Sequence, residues 1–127
     1  MIRNLQDLRG VRVFVVEDEF AVLLLVEDML LELGCELAGT ASRLPEALAM
    51  AGSIECDAAI LDVNINGEMI GPVAEILAAR GKPFVFSTGY GRSGIAPELR
   101  DWPVLQKPYR SEDFAQALRR ALERRMV

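Results

Sequence analysis

The chain predicts a single α/β domain organised as a doubly wound parallel sheet. Short apolar runs of strand length alternate with amphipathic stretches of helical length, the pattern of repeated βα units. At 127 residues the chain has the size of one core. Its composition, 51% hydrophobic and 26% charged, can fill that core and lies far from that of disordered chains. No repeat, low-complexity stretch or interdomain linker is visible, so residues 11–127 are expected to form one domain after a lead-in of residues 1–10.

The first expected strand is 11–16, five of whose six residues are branched or aromatic. Apolar positions at Phe20, Leu23, Leu24, Met29, Leu30, Leu31 and Leu33 then describe a helix over 20–33, closed by Gly34. A weaker strand at 36–40 precedes a helix over 44–51 with Pro45 in its first turn, where a missing N–H costs nothing. The third strand, 58–63, is apolar except for Asp62, and the helix over 72–80 again has proline early and Gly81 just past its end. The fourth strand is 84–88. The crossover after it, 89–103, holds three glycines and two prolines, so only 97–101 can make a helical turn and the fourth helix should be short or mobile. Residues 104–106 form the fifth strand, and 111–125 the last helix, with Ser111 as candidate N-cap and Glu112 and Asp113 in its first turn.

Net charge is −5, and the halves differ: residues 1–64 carry 4 basic and 12 acidic side chains, residues 65–127 carry 10 and 7. Such acidity argues against direct nucleic-acid binding, which needs a basic face to displace counterions. Arg119, Arg120, Arg124 and Arg125 read as a solvated helix end that complements the helix dipole. Cys35 and Cys56 stand 21 residues apart with no histidine in the chain, which excludes a zinc motif and favours buried reduced thiols. No transmembrane span or signal peptide is apparent, giving the expectation of a cytoplasmic protein with no membrane contact.

In an open parallel sheet, ligands bind where loops leave the carboxyl ends of the strands. Here the first strand ends in Glu17-Asp18, the third in Asp62, the fourth in Ser87-Thr88, and the fifth leads into Lys107-Pro108. Bringing Glu17, Asp18 and Asp62 to one edge gathers three negative charges. At an effective dielectric near 20, like charges about 4 Å apart repel by roughly 4 kcal/mol per pair. Lys107 offsets one of them, so a divalent cation with oxygen ligands completes the cluster, and few protein ligands with several waters and a phosphate describe Mg2+. A metal, a lysine and a hydroxyl together suit phosphoryl transfer, with Asp62 as nucleophile, Asp18 and Glu17 holding the metal, and Lys107 and Thr88 binding phosphoryl oxygens. Singly, each residue has a plainer account: acids beside a helix N-terminus, a loop-capping aspartate, a β-forming threonine, a solvated lysine. Four matched groups at four strand ends, in order, favour the joint reading.

Val15-Val16-Glu17-Asp18-Glu19, Ile60-Leu61-Asp62-Val63-Asn64, Phe86-Ser87-Thr88-Gly89 and Gln106-Lys107-Pro108-Tyr109 together resemble the signature segments of the response-regulator receiver domain of two-component signalling. The resemblance covers about residues 10–125. It implies the flavodoxin-like, CheY-like (βα)5 fold with strand order 2-1-3-4-5. It also implies that Asp62 is the phosphoacceptor, Asp18 a direct Mg2+ ligand, Glu17 a ligand through water and Asn64 a ligand by its backbone carbonyl. Thr88 matches the switch hydroxyl and Lys107 the phosphate-sensing lysine, with the Lys107–Pro108 bond cis. The implied function is phosphorelay signal transduction: a non-enzymatic regulator takes a phosphoryl group from a histidine kinase or histidine phosphotransfer protein and signals by conformational change to a downstream protein, as monomer or weak homodimer.

Two departures stand out. Receivers usually carry Met-Pro three and four residues after the phosphoacceptor, where this chain has Ile65-Asn66, which alters the loop. Most also carry an aromatic three residues before the lysine, where this chain has Val104. The segment 83–90 resembles the subclass with a Phe-Ala-Thr-Gly signature, which lacks that aromatic, has a poorly ordered fourth helix and is often partnered with kinases of the HWE or HisKA_2 type. On this reading phosphorylation orders the 89–103 crossover. Because the chain stops after the fifth helix, a stand-alone regulator or phosphorelay shuttle is expected. The segment 5–10 also resembles linkers before receivers fused to kinases, so a fragment of a hybrid kinase stays open.

Three alternatives compete. Gly89, Gly91 and Gly94 match G-x-G-x-x-G, but follow the fourth strand and run into Pro97 rather than opening a helix after the first. An Mg2+-dependent aspartate-nucleophile phosphatase needs a second aspartate two residues on, where Asn64 stands. An unphosphorylated pseudo-receiver is disfavoured by the intact set of acidic residues, Thr88 and Lys107.

Overall fold

The computed structural model describes residues 7–90 and 94–126, with the backbone alone for 125 and 126. Residues 1–6 of the lead-in, and Gly91 of the glycine pattern, lie outside the described residues. Strands β1 (Arg12–Val16), β2 (Glu36–Ala41), β3 (Ala58–Asp62), β6 (Phe84–Thr88) and β7 (Val104–Gln106) pair in parallel in the order β2-β1-β3-β6-β7. This is the expected 2-1-3-4-5 order, since the two strands numbered between β3 and β6 form a separate ribbon, β4 (Asn64–Ile65) and β5 (Glu68–Met69).

Alternate residues of a strand face opposite sides of the sheet, and here both sides are covered. Val13, Val15, Ile60 and Val85 pack with Val26 and Leu30 of α1 (Phe20–Glu32) and with Phe114 and Leu118 of α4 (Ser111–Met126). Phe14, Val16, Leu61 and Phe86 pack on the other side with Ala47 of α2 (Leu44–Ala51) and Val73 and Leu77 of α3 (Gly71–Ala79). Burial on two faces explains why β1, β3 and β6 read as continuous apolar runs. Leu8, ahead of residue 11, also lies in the first of these clusters.

The glycine stops hold. After α1, the Gly34 N–H donates to the Leu31 carbonyl and the Cys35 N–H to that of Leu30. After α3, Gly81 and Lys82 donate in the same way to Ala78 and Leu77. Both are Schellman ends with glycine in the left-handed region, φ +77° at Gly34 and +71° at Gly81. The described part of the fourth crossover contains only a 3-10 turn, Pro97–Leu99, matching the expected short helix. Cys35 and Cys56 are buried and unbridged, and burial pushes the Cys56 thiol up from its ordinary range.

Three details differ from expectation. Ser111 is the first residue of α4 rather than its N-cap, because it is the Arg110 carbonyl that accepts from the Phe114 N–H. Arg124 is more than a solvated cation: its guanidinium lies 4.4 Å from the Trp102 ring centroid, a cation–π contact tying α4 to the fourth crossover. The third strand ends at Asp62, and the ribbon β4–β5 replaces the plain loop expected after it. Its turn residues Asn66 (φ 53°) and Gly67 (φ +86°) are both left-handed, the conformation that an Asn-Gly hairpin favours.

Candidate functional site

Glu17, Asp18, Asp62, Thr88 and Lys107 meet at the carboxyl edge of the sheet because four neighbouring strands end there in register. Val16 pairs with Leu61, Asp62 with Ser87, and Thr88 with Gln106, so each strand delivers its polar residue at one level. Glu17 and Asp62 are 2% and 5% exposed, while Asp18 is half-buried. Carboxylate oxygens of the three lie within 4.8 Å of one another.

Lys107 Nζ sits 3.2 Å from Glu17 Oε1 and 3.1 Å from Asp62 Oδ2, bridging the two buried carboxylates. Burial pushes the Glu17 carboxyl up to about 8, and neighbouring Asp62 adds to the shift. Burial alone would lower Lys107, but the bond to Asp62 and the charges of Asp62 and Glu17 outweigh it and hold the ammonium above its ordinary range. The cluster therefore resists carrying its full negative charge.

Backbone amides orient the acids. Glu19 N–H donates to Glu17 Oε2, Asn64 N–H to Asp62 Oδ1, and Asn66 N–H to Asp18 Oδ2. Glu19 occupies the N-cap position of α1 without a side-chain capping bond, and no acidic residue lies in that helix's first turn. Glu17 nonetheless touches that helix end, since the amide it accepts belongs to the N-cap residue, and a carboxylate there complements the helix dipole. Thr88 Oγ1 accepts from the Tyr90 N–H, and the Lys107 N–H donates to the Thr88 carbonyl. Asn64 is exposed, and its side-chain oxygen accepts the Gly67 N–H across the ribbon turn. The Lys107–Pro108 bond is cis. Asp18, Asp62, Asn64, Thr88 and Lys107 all line one cleft of about 560 Å3, with Met69 on its wall.

No family model matches the chain. The solution structure of SdrG from Sphingomonas melonis Fr1 superposes with a TM-score of 0.78 at 41% identity, over 93% of this chain and 98% of that one. A second structure, of SdrG from Pseudomonas melonis Fr1 in its BeF3-activated conformation, gives 0.74 at 43% identity, over 87% and 95%. The PhyR response regulator REC domain of Erythrobacter litoralis gives 0.76 at 25% identity, over 91% and 92%. The chain belongs to the response-regulator receiver domains. The transcriptional regulatory protein PdtaR of Mycobacterium tuberculosis is 30% identical over 117 residues, 89% of this chain. The chain spans 57% of the length of these curated relatives.

In this receiver domain the fold brings together all six residues that the sequence singles out. Two further participants escape sequence reasoning. Tyr109, two residues beyond Lys107, shares a hydrogen bond with buried Ser87, the register partner of Asp62. Nothing in the sequence pairs these hydroxyls, because they lie on different elements 22 residues apart. Asn66 reaches Asp18 across 48 residues; the dipeptide Asn66-Gly67 is a tight-turn signal that could have marked the ribbon, but nothing in it points to an acid as partner. Among the described residues no helix is long and apolar enough to cross a membrane.

Proposed function

We propose that this receiver domain accepts a phosphoryl group on Asp62 from a phosphohistidine of a histidine kinase or phosphotransfer protein, in an Mg2+-dependent reaction. The observation that carries the reading is a buried Asp62 at the foot of an open cleft, with Lys107 on one oxygen and the Asn64 amide on the other. An Asp62 carboxylate oxygen attacks phosphorus, the P–O bond forms, the P–N bond breaks, and the imidazole leaves with the electron pair.

The donor set fits a hard cation: three carboxylates, one of them opening onto solvent, with only Lys107 to offset them among the described residues. Glu17, Asp18, Asp62 and the Asn64 carbonyl would hold Mg2+, which when bound neutralises charge on the phosphoryl oxygens. Lys107 lies where its ammonium can follow a phosphoryl oxygen on Asp62, and the Thr88 hydroxyl, lining the same cleft, can donate to another. SdrG was solved in a BeF3-activated conformation, which supports an activatable acceptor here. Partnership with HWE or HisKA_2 kinases, a protein target downstream and a cytoplasmic setting complete the proposal. The phosphatase alternative lacks its acid: the residue two beyond Asp62 is Asn64, whose side chain is engaged by Gly67.

Intact-mass measurement after incubation with acetyl phosphate and Mg2+ tests the reading. One adduct of about 80 Da is expected on wild type and none on Asp62→Ala. Equal labelling of both overturns it.

A further inference from the structure

The turn of the ribbon makes a contact that the receiver resemblance does not supply. Asn66 and Gly67 hold left-handed dihedrals, and from that turn the Asn66 N–H donates to Asp18 Oδ2 at 2.8 Å. Its side-chain Nδ2 donates to the Ser42 carbonyl at 3.3 Å, pinning the ribbon against the loop that follows β2. The neighbouring Gly67 N–H is taken by Asn64 Oδ1 at 2.7 Å, so the turn is held from both sides.

We propose that Asn66 is a positioning residue for the metal ligand Asp18: its backbone N–H holds Oδ2 and presets the carboxylate that the cation uses. The inference rests on the Mg2+ reading above. Asp18 is half-buried at the mouth of the cleft, where an untethered carboxylate samples several rotamers. A charge-assisted bond from a fixed amide removes that freedom before the cation arrives, while leaving the charge in place. Proline, usual at this position in receivers, has no N–H to give.

The test follows Mg2+ binding to the full chain by 15N NMR, with Mg2+ alone as probe, alongside thermal melting. Asn66→Pro removes the N–H and also cannot hold the left-handed φ. Asn66→Ala, which keeps the N–H under backbone strain, is therefore its strain control and should bind Mg2+ more tightly than Asn66→Pro, while Asn66→Gly keeps the N–H without strain. Asn66→Pro should bind Mg2+ about tenfold more weakly, with Asn66→Gly restoring the affinity to within about twofold of wild type. A residue that served only the turn would lower the melting temperature of the Ala and Pro variants alike and leave the dissociation constant unchanged, and that result overturns the proposal. Affinity in Asn66→Gly as weak as in Asn66→Pro also overturns it. If Asn66→Pro does not fold, the metal-free Asn66 amide proton decides: an upfield move in Asp18→Ala supports the tether, and no move overturns it. Wild type without a saturable Mg2+ response overturns the Mg2+ reading and the positioning role together, whereas tight binding by wild type and Asn66→Pro alike removes the positioning role alone.

Discussion

Tyr109 illustrates how one residue's chemistry is set by neighbours that its sequence position does not name. Burial pushes its phenol up to about 12, against a smaller opposing effect of the Ser87 hydrogen bond and the Lys107 charge. An unfolded tyrosine ionises near 10. Below that pH both states keep the proton and the shift has no effect on stability. Between about 10 and 12 the unfolded chain loses the proton first, so folding stability falls as pH rises through that window. Absorbance of the phenolate in Tyr90→Phe, which leaves Tyr109 as the sole tyrosine, should show a midpoint near 12. A midpoint near 10 would mean that the phenol is not desolvated in solution as it is here. Glu17 makes a similar point: its place in Val-Val-Glu-Asp marks it as an acid at a strand end, but its 2% exposure and its ion pair with Lys107, which follows β7, exist only in the folded chain.

Elements are where local signals were most legible. Gly34 and Gly81 announce helix ends because both Schellman turns need a left-handed residue, and Pro45 and Pro72 announce helix starts because a first-turn N–H has no partner to lose. These positions separate backbone strain from crowding. Gly81→Ala, whose new Cβ meets nothing within 4 Å, should cost about 1 kcal/mol by urea denaturation from the left-handed backbone alone. Gly94→Ala should cost more, since φ is +87° and the new Cβ would stand 3.3 Å from Val63 Cγ1 and 3.7 Å from Met69 Sδ. Equal losses would show that the ribbon and the crossover do not meet in solution as they do here. The ribbon itself has a plain sequence signal, Asn66-Gly67 between short strands, but its flanking strands of two residues each are too short to carry an alternating pattern.

At the scale of the molecule, the site joins two parts of the fold on either side of Asp62: the ribbon that follows β3 and the crossover that follows β6. Met69 and Gly94 both line the cleft and lie next to each other, and Trp102 of that crossover packs on Phe84 at 4.2 Å between ring centroids and under Arg124 of α4. A phosphoryl group on Asp62 that draws Thr88 toward it would pull at the start of this crossover, because Thr88 is the last residue of β6. Amide exchange of the crossover should therefore slow when Mg2+ and beryllium fluoride are added to wild type, and stay unchanged in Asp62→Ala. Unchanged exchange in wild type would remove the crossover from the switching mechanism.

Periodicity and end signals were enough to specify five strands, their helices and the set Glu17, Asp18, Asp62, Thr88 and Lys107, because strand termini in a doubly wound sheet share one edge whatever the loops do. The pairings Lys107 to Glu17, Ser87 to Tyr109 and Asn66 to Asp18 were decided only by the folded chain. They span 22 to 90 residues and depend on the angle at which strands and ribbon close on one another, and a one-dimensional pattern of apolar and polar residues does not encode that angle.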